Sequence, residues 1–202
     1  MTEPADLGYL NSMYARDDDP WHLRSGWYER RKLQLLLACL PKERYRAAFE
    51  PGCSVGEVTA GLAGRCDAVL AADFHSDAVT AARRRTAGAP NVEVRQLLLP
   101  RQWPRPERFD LVVLSEIGYF LTPSAWAQLC VRVAGGLADD ATVLACHWRG
   151  DFAERTQPAD ALHAQLGDAL GLPRHTSVTD ADFIIDVWTT SARTVAQSEG
   201  LA

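Results

Sequence analysis

The chain has 202 residues, 47% of them apolar and 23% charged, with a formal net charge of −5. That balance fits one soluble globular domain with a sizeable core, and it weighs against nucleic acid, whose phosphates are gripped by clustered Lys and Arg. No apolar run approaches the ~20 residues of a membrane span. The five cysteines are odd in number and form no C-x-x-C pair. Neither a disulfide framework nor a zinc site is expected, which points to a reducing, cytoplasmic setting. The N-terminus MTEPADLGYL is acidic and lacks the basic-then-apolar layout of a signal peptide. Arg30-Arg31-Lys32 and Arg83-Arg84-Arg85 both fall in helix-like stretches, and the second reads as a solvated face.

In chain order, Ser25 offers an N-cap for a helix reaching Cys39, stopped near Pro41. Leu33, Leu36, Leu37 and Leu40 recur within this stretch at helical spacing. A first strand is expected over Tyr45 to Glu50, then a glycine turn and a helix from Glu57 to Gly64. A short strand, Ala68 to Ala72, ends at Asp73; a helix from Ser76 to Ala87 and a strand from Val92 to Leu98 follow. FDLVVL, Phe109 to Leu114, is the most apolar strand and therefore central. A helix over Pro123 to Leu137, a strand over Thr142 to Trp148 and a helix over Ala159 to Leu170 complete the alternation. His175 to Val178 and Phe183 to Thr189 break it, as two strands joined by Thr179-Asp180-Ala181-Asp182. The pattern predicts an α/β, Rossmann-like, seven-stranded sheet, mostly parallel with the last strand antiparallel and helices on both faces. Residues 1–44 are expected as an N-terminal helical cap on a core of residues 45–202.

The stretch FEPGCSVGEVT, Phe49 to Thr59, is a strand–turn–helix with glycines, a place where backbone N–H groups can hold an anion. In the register G-x-G-x-x-G its positions hold Gly52, Ser54 and Glu57, and two of three fail. A nicotinamide cofactor is disfavoured accordingly. In the register acid-x-G-x-G-x-G they hold Glu50, Gly52, Ser54 and Gly56, and this resembles the first motif of class I S-adenosylmethionine (SAM) methyltransferases. The chemistry suits SAM, whose amino-acid end carries an ammonium that an acid at the strand end can meet. Asp73, at the end of VLAAD and followed by Phe74, sits where an acid accepts hydrogen bonds from ribose hydroxyls. A helix N-cap is the other reading of Asp73, although Ser76 already offers one. The third strand departs from the family pattern. Leu98 stands where an acid usually binds the adenine amino group, which leaves backbone groups and apolar contact to read adenine.

DPWHLRSGWYERRK, FDLVVLSEIGYFL, HWR and the tail SEGLA, taken with the glycine loop, resemble the nodulation-protein-S group of SAM methyltransferases over nearly the whole chain. The resemblance implies SAM as methyl donor, S-adenosylhomocysteine as product, and a small-molecule acceptor, with no nucleic acid and no membrane partner. The finer implication is N-methylation of an amino sugar. The aromatics of the N-terminal stretch can cover the cofactor, with Trp21 in the cover and Arg31 meeting the SAM carboxylate. The other reading packs those aromatics in the core. The expected cofactor contacts are therefore Trp21, Arg31, Glu50, Gly52, Ser54, Gly56, Asp73, Phe74, Leu98 and Ser115.

An alkylammonium acceptor has no lone pair until a base takes its proton. Glu116, just past the central strand at the carboxyl edge of the sheet, is the expected base. Its alternative is a salt-bridged loop residue. Tyr119 and His147 are further catalytic candidates, each equally readable as core, and Trp148 can stack on a sugar face. His163 and His175 read as structural. A small-molecule O-methyltransferase and a non-catalytic SAM-binding protein stay open, as do monomer and homodimer.

Overall fold

The computed structural model describes residues 7–105 and 108–201. The first six residues of the expected cap and Ala202 of the tail lie outside them. Helices α1 (Leu7–Arg16) and α2 (Trp27–Ala38) precede strand β1 (Tyr45–Pro51). There follow α3 (Glu57–Ala63), β2 (Cys66–Asp73), α4 (Ser76–Arg85), β3 (Val92–Gln96) and β4 (Phe109–Ser115). The chain then runs through a 3₁₀ turn (Gly118–Phe120), α5 (Pro123–Gly135), β5 (Leu137–Trp148), α6 (Ala159–Leu170), β6 (Arg174–Thr179), β7 (Phe183–Thr189) and α7 (Val195–Ser198). The strands form one sheet in the order β3-β2-β1-β4-β5-β7-β6. Only β7 runs against the rest, between β5 and β6. Among the described residues no helix is long and apolar enough to cross a membrane.

β4 lies in the middle because both of its faces can be buried. Its side chains alternate: Val112 and Leu114 enter a core with Phe49, Trp126, Leu129 and Leu162, while Leu111 and Val113 enter another with Leu36, Leu62, Leu144 and Ile185. α5 and α6 thus cover one face, and α2 and α3 the other. The single charge in the strand, Asp110, is buried and completes the ladder, accepting the backbone N–H groups of Arg46 (2.9 Å) and Ala47 (2.8 Å).

Several boundaries differ from expectation for local reasons. α2 begins after Gly26, not Ser25, and α4 is capped by the His75 ring accepting the Asp77 N–H, not by Ser76. β3 stops at Gln96 because the Leu98 N–H turns to Gln102 Oε1 (2.6 Å) instead of a neighbouring strand. β5 starts five residues early, at Leu137, where the polar Asp139-Asp140 pair concealed the strand.

α1 carries Leu7, Leu10 and Tyr14 at helical spacing, a period short enough to pass unmarked. Asp19 creates the turn that follows it, its carboxylate accepting the N–H groups of Leu23 (2.9 Å) and Arg24 (3.0 Å). Tyr14 stacks on His75 with ring centroids 4.5 Å apart, and Trp21 meets Tyr14 edge-on at 5.4 Å. These contacts lay the N-terminal segment across the carboxyl ends of β1 and β2.

Candidate active site

The parallel strands bring Glu50, Asp73 and Ser115 to one edge of the sheet. Beyond β1 the chain folds back onto β2, with the N–H groups of Gly52 and Cys53 both donating to the Ala72 carbonyl, at 2.7 and 2.9 Å. That turn needs φ +79° at Gly52, where a Cβ would also come within 3.0 Å of the Ile117 side chain. Ser54 adopts φ +47° despite its side chain. Its N–H donates to Asp73 Oδ2 (2.9 Å), and its hydroxyl pairs with the Tyr14 hydroxyl (2.8 Å). Asp73 also accepts the His75 N–H (3.0 Å), and burial pushes its carboxyl above the usual carboxylate range. The buried Glu50 accepts the Thr59 hydroxyl at 2.5 Å; burial pushes its carboxyl up to about 8.

A cavity of about 320 Å³ opens on this edge. Of the expected residues it brings together Trp21, Glu50, Gly52, Ser54, Asp73, Phe74, Leu98, Ser115, Glu116 and Tyr119. Trp148 also lines it, with its indole stacked on Phe152. Three others lie elsewhere. Gly56 starts α3 at φ +86°, where a Cβ would stand 2.9 Å from the Ala82 Cα, so it serves helix packing. Arg31 pairs instead with Asp180 of the β6–β7 turn at 2.7 Å and lies over the Phe183 ring. His147 is fully buried behind the cavity wall. Its Nε2 accepts the Gly118 N–H (3.0 Å), so Nδ1 carries the hydrogen and donates to His163 Nε2 (3.0 Å). His163 Nδ1 in turn donates to Asp186 (2.8 Å). Burial, reinforced by His163, holds the His147 imidazole well below its ordinary pKa. The ring is therefore a neutral support for the 3₁₀ turn that presents Tyr119.

The backbone reading expected for Leu98 also changes. Its N–H and carbonyl are both engaged by Gln102, so this stretch offers the apolar side chains of Leu97, Leu98 and Leu99.

Two neighbours of Arg31 in WYERRK do reach the cavity. Glu29 and Lys32, one helical turn apart, both face the cavity. Lys32 Nζ lies 2.9 Å from Glu29 Oε2 and 2.6 Å from Glu116 Oε1. Burial alone would lower the Lys32 ammonium, but Glu116 and Glu29 outweigh it and raise its pKa above the ordinary value. Glu116, at φ +57°, is held from three separate segments: by Lys32, by the Tyr119 hydroxyl and by the Trp148 N–H (3.0 Å). It thus has the salt bridge of its alternative reading, with two donors on Oε2 and the Lys32 ammonium on Oε1. The phenol of Tyr119 is committed to the same carboxylate. Tyr28 lies against Lys32, and its hydroxyl, in a residue of the cavity wall, has no hydrogen-bond partner.

Comparison with known proteins places the chain in a family. Residues 9–151 match the family model described as Nodulation protein S (NodS). Nodulation protein S of Rhizobium tropici is 32% identical over 117 residues, 56% of this chain and 48% of that protein. The chain thus spans about half the length of that curated relative. A candidate methyltransferase from Pseudomonas syringae is 44% identical, with a TM-score of 0.73 over 81% of this chain and 99% of that one. The N-methyltransferase NodS of Bradyrhizobium japonicum WM9, solved with S-adenosyl-L-homocysteine, superimposes with a TM-score of 0.78 at 23% identity, over 90% of this chain and 96% of that one. The chain has the fold of the SAM methyltransferases and belongs to the nodulation protein S family.

Proposed function

We propose that the protein is a SAM-dependent methyltransferase that methylates the nitrogen of a small, saccharide-like amine. The observation that carries the acceptor class is the cluster of Glu29, Lys32 and Glu116 in the wall of the same cavity as the glycine loop and Asp73. Two carboxylates around one ammonium leave a local charge of −1, which suits a cationic acceptor and does nothing for a neutral alcohol.

The residues present fit the cofactor. Asp73 offers carboxylate oxygen for the ribose, Glu50 an acid near the donor's amino group, and Phe74, Leu97 and Leu98 apolar contact for the base. The unpartnered Tyr28 hydroxyl leaves a hydrogen bond for a ligand to complete. When bound, SAM supplies a methyl group on a positively charged sulfur, open to in-line displacement. The protein's part is positioning and exclusion of water. Leu10, Tyr14, Trp21 and Leu23 wall the cavity from the N-terminal side, and Phe120, Tyr119 and Trp148 from the other.

Deleting residues 1–24 removes those four walls and leaves the Ser54 hydroxyl without Tyr14. The sheet should still fold, while SAM affinity measured by calorimetry falls about tenfold or more, as for a lost buried contact surface. Equal affinity after truncation would take Trp21 and Tyr14 out of the cofactor site.

Glu50 gives a pH signature. Its carboxyl, raised toward 8 by burial, is mostly protonated at pH 7 in the free protein. Meeting an ammonium ionises it, so SAM binding at pH 7 should release protons, seen as a buffer-dependent heat. Glu50→Gln should abolish that release. A group with a raised folded pKa stabilises fully below its unfolded value and loses that contribution as pH rises through the folded one. Glu50→Gln should therefore gain in melting temperature relative to the parent above pH 8. Identical buffer dependence in both proteins would separate Glu50 from the cofactor.

The direct test is a screen of amino sugars against matched hydroxyl-only sugars with methyl-labelled SAM. Label is expected on amine acceptors alone.

A further inference from the structure

We propose that Glu29, rather than Glu116, takes the proton from the acceptor's ammonium. The assignment rests on the amine reading above and names its base.

The two carboxylates of the cluster are unequal. Glu116 receives the Lys32 ammonium on Oε1, and the Tyr119 hydroxyl and Trp148 N–H on Oε2. With about two acceptor sites per oxygen, Oε2 of Glu116 is full and only Oε1, beside the Lys32 ammonium, keeps one site. Among the described residues the Glu29 carboxylate is bonded by Lys32 alone, at 3.0 Å from Oε1 and 2.9 Å from Oε2. Each carboxylate oxygen accepts about two hydrogen bonds, so Glu29 keeps a free lone pair on each. It lines the cavity with 16% of its side chain exposed, as Glu116 does with 22%, so both can be reached and their hydrogen bonds distinguish them. Lys32 has no lone pair to offer while Glu116 and Glu29 hold it as an ammonium.

Charge balance points the same way. The cluster at −1 and an incoming ammonium at +1 sum to zero. After proton transfer Glu29 is neutral, the amine is neutral, and Lys32–Glu116 remains a closed ion pair. The proton transfer itself leaves no uncompensated buried charge, which would be costly, and Glu29 regains its negative charge for the methylated nitrogen when its proton leaves. In the transfer the ammonium N–H bond breaks, its electron pair stays on nitrogen, and an O–H bond forms on Glu29. The nitrogen pair then forms the N–C bond to the methyl carbon as the C–S bond breaks, its electrons going to sulfur. The positive charge lost by the sulfonium reappears on the methylated nitrogen. The proton on Glu29 leaves to water when the product departs.

The groups facing Glu29 are Tyr28 and Lys32 on its own helix, Glu116 with Tyr119 from beyond β4, Cys146 of β5, and Asp19 from the turn before α2. Burial pushes the Glu29 carboxyl above the usual carboxylate range; Lys32 pulls it down, and Glu116 and Asp19 add to the rise. A carboxyl so placed is closer to the operating range of a base than a solvated Glu.

The test uses the full chain, methyl-labelled SAM and a chitooligosaccharide with one free glucosamine amine at its non-reducing end. Glu29→Gln keeps the Lys32–Glu116 pair, so SAM affinity should stay within about threefold of the parent. Its kcat at pH 7 should fall roughly 10²–10⁴-fold, the scale of a lost general base, and recover as pH approaches the amine's own pKa. Glu29→Ala should regain turnover on addition of formate. If the Gln variant fails to fold, the Ala variant with and without formate carries the same test. A Gln variant with near-parental kcat at pH 7, a deficit independent of pH, or no formate rescue would overturn Glu29 as the base while leaving the amine reading intact. A parent protein inactive on this probe and on every amine of the screen would overturn both.

Discussion

Lys32→Met should lower the melting temperature by about 10 °C and remove the one cationic side chain among the described residues that line the cavity. The loss follows from what stays behind. Glu29 and Glu116 face each other across the vacated ammonium, largely buried, with only the Tyr119 hydroxyl and the Trp148 N–H still on Glu116. Removing one member of a buried ion pair costs about 3–5 kcal/mol. A domain of this size shifts by about 2–4 °C per kcal/mol, which sets the expected range. The pH dependence gives the sharper signature. Without Lys32 at least one carboxyl is raised above its unfolded value, so its contribution is intact at low pH and lost as pH rises through the folded value. The variant should approach the parent near pH 5 and fall furthest behind above pH 7. In the parent, Lys32 itself is raised, so its contribution is present below its ordinary value and lost only in strong alkali. Thermal melts of both proteins from pH 5 to 9 check this. A constant difference across that range would mean that Lys32 acts by packing alone.

Asp73→Ala should weaken SAM binding by roughly 10–150-fold, the equivalent of about 1.5–3 kcal/mol for hydrogen bonds to a charged group. Asp73 also ties the loop together, because the Ser54 and His75 N–H groups both end on it. A few degrees of melting temperature should be lost with the affinity. Asp73→Asn separates the two roles, since its amide oxygen can keep one of those N–H groups while the charge is gone. Calorimetry on the folded Asn variant reads the cofactor contribution with the loop partly preserved. Unchanged affinity in both variants would remove Asp73 from the site.

The sheet was legible because its strands are short apolar runs punctuated by turn chemistry, and because FDLVVL could only be central. The β6–β7 hairpin was legible from one break in the alternation. The boundaries that shifted did so through side chains reaching across several residues, as with Gln102 on Leu98 or His75 on Asp77. The glycine loop and Asp73 were legible as a pair, since spacing along two adjacent parallel strands fixes their meeting. α1 was not, because LGYLNSMYAR gains its place from Tyr14 docking on Ser54 and His75, contacts 40 and 61 residues away in sequence.

The acceptor side was harder to read. Arg31 and Lys32 are neighbours in sequence but point about 100° apart around a helix, as 3.6 residues per turn requires. The hairpin's Asp180 captures Arg31, and no local pattern announces that pair. The spacing of Glu29 and Lys32 did place both on one face, a signal overlooked in favour of the guanidinium fork. Glu116 lines the cavity, and its three partners come from α2, the 3₁₀ turn and the end of β5, so its hydrogen bonding is a tertiary fact. Of the two readings open for His147, the ring takes the core one, where Gly118 and His163 occupy both nitrogens, and only the tertiary packing decides between them.

The most direct measurement is the destination of a labelled methyl carbon. Incubation with ¹³C-methyl SAM and the amino-sugar screen, followed by carbon NMR of the purified product, distinguishes a methyl on nitrogen from one on oxygen. Transfer to the amine nitrogen, with S-adenosylhomocysteine formed in equal amount, is the predicted result. Label on a hydroxyl oxygen, or tight SAM binding with no transfer to any amine, would contradict it.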